Sequence, residues 1–149
     1  MLRVEPRSYA DVRGWLASLG IDCPECVPAR DAPLAPDHPV LHVPYRDVPS
    51  DVLDHALGFS GILEADAPVG LQGIQDAQRV STGGRDDFLF FPLLGLSQHL
   101  AGCASQRRKV LGLREGSDPS ADDELEFITA VADIVHYCQA EDCALAIRW

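Results

Sequence analysis

The chain is poor in basic charge, and above all in lysine. Of its 149 residues only 12 are Lys or Arg, against 23 Asp or Glu, for a formal net charge of −11. Lys109 is the single lysine. Affinity for nucleic acid rests on Lys and Arg contacts to phosphate, so a protein with a pI near 4.6 is not expected to bind it directly. The skew from Lys to Arg reads as a codon-composition effect, which makes each Arg weak evidence for phosphate recognition.

Long apolar runs are missing too. The longest, Phe88–Leu94, is interrupted by Pro92 and falls far short of the ~20 residues that a membrane helix needs. The first residues carry Arg3, Glu5 and Arg7 where a signal peptide would place an apolar core. A cytoplasmic protein without membrane contact is expected. Cysteine is sparse and odd in number (Cys23, Cys26, Cys103, Cys138, Cys143), which argues against a disulfide framework. No GxSxG, GxGxxG or GxxxxGK[ST] motif occurs, and of His38, His42, His55, His99 and His136 only His38 and His42 stand four apart, with Pro39 between them, where no helix would bring them to one face.

What the sequence does have is enough apolar residues, 46%, to bury a core in one globular domain spanning 1–149. Ser8 can cap a helix carrying Val12, Trp15, Leu16 and Leu19, with Gly20 as its stop. Five prolines between 24 and 39 make residues 22–39 a Pro-rich loop. Val40–Tyr45 alternates as a strand, with Pro44 suggesting a sheet edge. Ser50–Leu57 reads as a short helix, Ile62–Leu63 and Gln78–Ser81 as short strands, and Ser81–Asp87 as a turn rather than an anion cradle. Phe88–Phe91 reads as a buried strand or as the start of a buried helix, Leu93–Ala104 as helical, and Val110–Leu113 as a strand. Ser120 is the expected cap of the last helix, whose stripe is Leu125, Ile128, Val131, Ala132, Val135 and Cys138, and Cys143–Trp149 is a terminal strand. The alternation predicts an α/β or α+β fold: a mixed sheet of about four to five short strands flanked by about four helices, the last one central.

Three constellations are candidates for function. Cys23-Pro-Glu-Cys26 has the spacing of half a zinc site, with His136, Cys138 and Cys143 as distant further ligands, set against plain thiols that fasten a loop. No cofactor other than zinc is indicated. Arg46 and Asp47, with Arg114 and Asp118, would sit at strand ends if the sheet were parallel, which is the alternative of a small hydrolase-like enzyme. The third is carboxylate-rich: Asp118, Asp122, Asp123, Glu124, Glu126, Glu141 and Asp142. Acidic residues at a helix N-terminus complement the macrodipole, but this number exceeds that need, and Glu141 and Asp142 oppose the dipole.

The expectation is therefore a non-enzymatic acidic protein that binds a basic, nucleic-acid-processing protein partner through those seven residues and inhibits or neutralises it by surface occlusion. Immunity proteins and phage inhibitors share this small, acidic, motif-poor character. A homodimer or self-assembling subunit, pairing through Cys143–Trp149 or Phe88–Leu94, is the remaining alternative.

Overall fold

Leu2, Val4 and Pro6 alternate with Arg3, Glu5 and Arg7, and this period-2 pattern folds as strand β1 (Leu2–Arg7). The expectation above assigns no element to these residues. A computed structural model of the protein describes residues 2–18, 28–31, 33–44, 47, 78–82, 85–90 and 93–148. Beside β1 lie β2 (Leu41–Val43) and β5 (Ala144–Arg148), both antiparallel to it. β2 stops pairing at Val4 whereas β5 continues to Arg7, so Pro6 has a strand neighbour on one side only, where a residue without an N–H is tolerated. β3 (Gln78–Thr82) and β4 (Arg85–Phe90) extend the sheet in the order β2-β1-β5-β4-β3.

Every described pairing is antiparallel. The expected mixed sheet is thereby corrected to an antiparallel α+β arrangement. The Ser81–Asp87 turn is corrected as well. The register Thr82↔Arg85 puts Ser81, Thr82 and Arg85–Asp87 into the β3–β4 ladder and leaves two residues between the strands. β2 occupies the edge that Pro44 suggested, with Leu41 and Val43 packed on the core and His42 exposed. The helix Ser50–Leu57 and the strand Ile62–Leu63 fall outside the described residues.

Ser8 ends β1 and starts α1 (Tyr9–Ser18), its Oγ accepting the Asp11 N–H at 3.1 Å. The long helix α2 (Leu93–Leu111) buries Leu93, Leu96 and Leu100. It absorbs Val110 and Leu111, which corrects the expected strand Val110–Leu113. The chain leaves the helix through Gly112 at φ 70, where Gly112 N–H donates to Lys109 O and Leu113 N–H to Arg108 O. That bond pair is a Schellman stop, and Val110 remains 66% exposed on the last turn.

A 3₁₀ turn (Pro119–Ala121) precedes α3 (Asp123–Glu141). Ser120 is inside that turn, so it does not cap α3. The cap is Asp122, whose carboxylate accepts the Leu125 N–H at 3.0 Å. The stripe Leu125, Ile128, Val131, Val135 and Cys138 is buried as expected, with Ala132 half-buried, and Phe127 and Ile134 widen it. α3 packs on α2, β1 and β5. Its stripe meets Leu2, Val4 and Leu145 from the sheet and Leu96 and Leu100 from α2 in one apolar cluster. Burying each such Leu stabilises the fold by about 1.5–3 kcal/mol.

Glu5 points away from that cluster, yet is only 2% exposed. Arg3 Nε and Arg7 Nε, two residues to either side along the strand, donate to its two oxygens at 2.7 and 3.0 Å. A buried carboxylate persists only with such partners.

Candidate functional site

The seven carboxylates proposed from the sequence separate into two groups once their partners are known. Asp118 caps the 3₁₀ turn, accepting Ser120 N–H at 3.0 Å and Ser120 Oγ–H at 2.8 Å, and these bonds hold its pKa below the usual carboxylate range. Asp122 accepts Arg107 Nε–H and Nη2–H at 2.8 and 2.9 Å while capping α3. The Arg107 bond is the main cause of its lowered pKa. Glu124 reaches Arg107 Nη1 at 2.9 Å. Asp142 ends α3 in the left-handed region (φ 53, ψ 58), its N–H donating to Cys138 O. Its carboxylate takes Arg30 Nε–H, and Arg30 Nη2–H at 2.9 Å, which pulls its pKa down. Tyr9 Oη donates to the same carboxylate at 3.4 Å, and the Arg30 guanidinium lies 5.7 Å from the Tyr9 ring centroid.

Those four also serve the fold as internal links. Asp142 in particular pins the described part of the Pro-rich loop. Arg13 completes that attachment from α1, donating to Pro28 O and to Asp31. Asp123, Glu126 and Glu141 are exposed and make no ion pair among the described residues. Glu141 closes α3 at the far end, ~27 Å from Asp123 at 1.5 Å per residue.

Asp123 and Glu126 border a groove of about 640 Å³ between β2 and the first turns of α3. Leu41, Val43, Phe127 and Ala130 supply its apolar lining, and Asp47 completes it. Sequence reasoning found the carboxylates but missed the apolar floor. Leu41 and Val43 come from an edge strand some 80 residues away in the chain, and only the β1–β2 pairing brings them to α3.

The enzyme alternative loses its geometric premise, because strand ends of a parallel sheet do not exist among the described residues. Asp47 is in the groove, and Arg46 is outside the described residues. Arg114 and Asp118 belong to the connection between α2 and α3, where Arg114 O accepts from Ser117 N–H and Oγ–H. The surfaces named for self-assembly are interior strands of the described sheet. β5 is paired on both sides, by β1 and β4, and β4 by β5 and β3. Neither offers a free backbone edge.

Cys23 and Cys26, the half zinc site, lie outside the described residues. Cys138 and Cys143 are buried free thiols, and Cys138 Sγ–H donates to Ala144 O at 3.4 Å. The interaction of the two thiols with each other pulls the Cys143 pKa down and pushes the Cys138 pKa up. His136 instead meets Ser97 Oγ through Nε2 at 3.1 Å. Among the described residues no group of three or more His, Cys, Asp or Glu is placed to hold a metal ion, and no helix is long and apolar enough to cross a membrane. Comparison with protein-family models, with curated proteins and with solved structures finds no match.

Proposed function

We propose that this protein binds a basic, nucleic-acid-processing protein and inhibits or neutralises it by covering the surface that would otherwise meet phosphate. Supporting the reading is one observation above others: on α3, beside apolar surface, Asp123 and Glu126 make no ion pair among the described residues. Residues 116–149 carry eight carboxylates and Arg148 alone as a cation, so the field around this face is negative beyond the residues that touch a partner. Such a field speeds association with a cationic surface and makes it salt-sensitive. The mode of action is occlusion, as in immunity proteins and phage-encoded inhibitors, and needs no catalytic residue, metal or cofactor.

The test is affinity capture of the tagged protein from lysate of its native context, with elution by salt and an assay of the eluted protein's activity on nucleic acid. A single dominant basic protein, inhibited on re-addition of the wild-type chain and not of Asp123→Lys/Glu126→Lys, is the expected result. Capture that survives this double reversal undiminished, or a partner of acidic character, overturns the reading.

A further inference from the structure

Four acidic side chains of the C-terminal third are engaged within the fold. Asp118 caps a turn, Asp122 and Glu124 hold Arg107, and Asp142 holds Arg30. The carboxylates left without ion pairs among the described residues are therefore not spread evenly. Two of them, Asp123 and Glu126, flank a place where this charge adjoins an apolar depression, the groove of Leu41, Val43, Phe127 and Ala130.

Charge and shape there point the same way. No Lys or Arg is among the described residues lining the groove. The positive end of the α3 dipole is equivalent to only about half a unit charge, so it does not cancel two carboxylates. An exposed ion pair contributes little by itself, whereas an apolar side chain taken out of water contributes more. A cationic ligand without an apolar part would leave the floor wet. An apolar ligand without a cation would leave the carboxylates facing a desolvated neighbour. The groove volume, about 640 Å³, falls within the ~300–1,000 Å³ typical of sites that enclose a small molecule. It has room for a large side chain together with its flanking stems.

We infer that this groove is the anchor point of the partner and that its occupant is an aromatic or aliphatic side chain of a partner protein, flanked in sequence by Lys or Arg. The inference rests on the reading of the protein as a binder of a basic partner. The anchor fills the space over Phe127 and Ala130, and its basic neighbours meet Asp123 and Glu126. The buried apolar centre with a charged rim is the usual anatomy of a protein–protein hot spot.

The probe is a fluorescent decapeptide with one Phe between two pairs of Lys in a Gly/Ser background, titrated by anisotropy into the full chain. Saturable binding is expected, weakened at least tenfold when the peptide Phe becomes Gly, when Ala130→Trp fills the groove, or when Glu126→Lys reverses the rim. Asp133→Lys, the same charge change at an exposed position of the same helix, should stay within twofold of wild type. Circular dichroism melts report that each variant is folded, and methyl shifts of Leu41, Val43 and Ala130 report the location.

Equal binding of the Gly peptide, or indifference to Ala130→Trp, overturns the inference while leaving the acidic-inhibitor reading standing. Displacement of the peptide by spermine with no loss on the Phe-to-Gly change marks the site as one for free polycations, which overturns it too. Nuclear Overhauser contacts from residues 48–77 of the chain itself to Ala130 would show the groove filled from within, with the same consequence. Failure of the reading itself shows separately, as capture of a basic protein that does not respond to Asp123→Lys/Glu126→Lys.

Discussion

Arg107 and Asp122 form a two-pronged ion pair, Nε to Oδ2 at 2.8 Å and Nη2 to Oδ1 at 2.9 Å, while Asp122 Oδ2 also accepts the Leu125 N–H at 3.0 Å. One carboxylate thus caps α3 and ties it to α2. Fork-to-carboxylate geometry of this kind is stronger than a single contact to a lysine.

Replacing Asp122 should separate its two duties. Asp122→Ala removes the cap and leaves Arg107 with Glu124 alone, for an expected loss of about 2 kcal/mol, of which the cap accounts for roughly 1. Asp122→Asn keeps an oxygen for the Leu125 N–H and loses only the charged pairing, so about half that loss is expected. Urea unfolding followed by circular dichroism distinguishes the two. Equal losses would mean that the cap contributes nothing.

Acid should loosen the molecule at the same places. Asp118, Asp122 and Asp142 all have pKa values held below the ordinary carboxylate value, by Ser120, Arg107 and Arg30 respectively. A carboxylate whose pKa is lower folded than unfolded stabilises the fold above its unfolded pKa, near 3.9, and loses that contribution as pH falls through the folded value. Melting temperature is therefore expected to be flat from these groups above about pH 5 and to fall below pH 4. The fall should be shallower in Asp122→Asn. A wild-type melting temperature unchanged between pH 5 and pH 2.5 would contradict the assignment.

Asp142 is the only non-glycine residue with positive φ among those described. Asp142→Ala loses the Arg30 link and keeps the left-handed cost of a Cβ, whereas Asp142→Gly loses the link and relieves that cost. The Gly variant should be more stable than the Ala variant by about 1 kcal/mol. In an Arg30→Ala background Asp142→Gly should match or exceed wild-type Asp142. Thermal denaturation of the four proteins tests both statements.

Much of the fold is legible in the sequence where one residue type answers one local question. Ser8 caps α1, Pro44 marks an edge, and the spacing from Leu125 to Cys138 gives a helix with one buried side. β1 is illegible for a specific reason: half its positions are charged, and the burial of Glu5 depends on Arg3 and Arg7 reaching back along the strand. The period-2 pattern of Leu2, Val4 and Pro6 is the signal that could have revealed it. Val110–Leu113 looks like a strand because β-branched and leucine residues cluster there, and Gly112 is the cue that a helix is ending instead.

The candidate site is half legible. Composition locates negative charge in the last third but cannot distinguish a carboxylate held by an arginine of another element from one that faces water. Asp122 and Asp123 are neighbours in sequence, yet one is locked to Arg107 and the other borders the groove. For the same reason reversing Asp122, Asp123, Glu124 and Glu126 together would be a poor test of binding: Asp122 and Glu124 hold α2 to α3. Reversal limited to Asp123 and Glu126 leaves both ion pairs intact and touches the fold only through the α3 dipole.

The pairing of β1 with β5 also bears on how the molecule comes into being. Residues 2–7 and 144–148 are side by side in the sheet, so a ribosome has delivered every residue between them before β1 meets that neighbour. Until then Leu2 and Val4 have no β5 to lie against, and β2 is the strand neighbour available to them. Contacts of such sequence separation slow folding. Translation stalled before residue 144 should therefore yield a chain that proteases cut readily near its start, with protection arriving as β5 emerges.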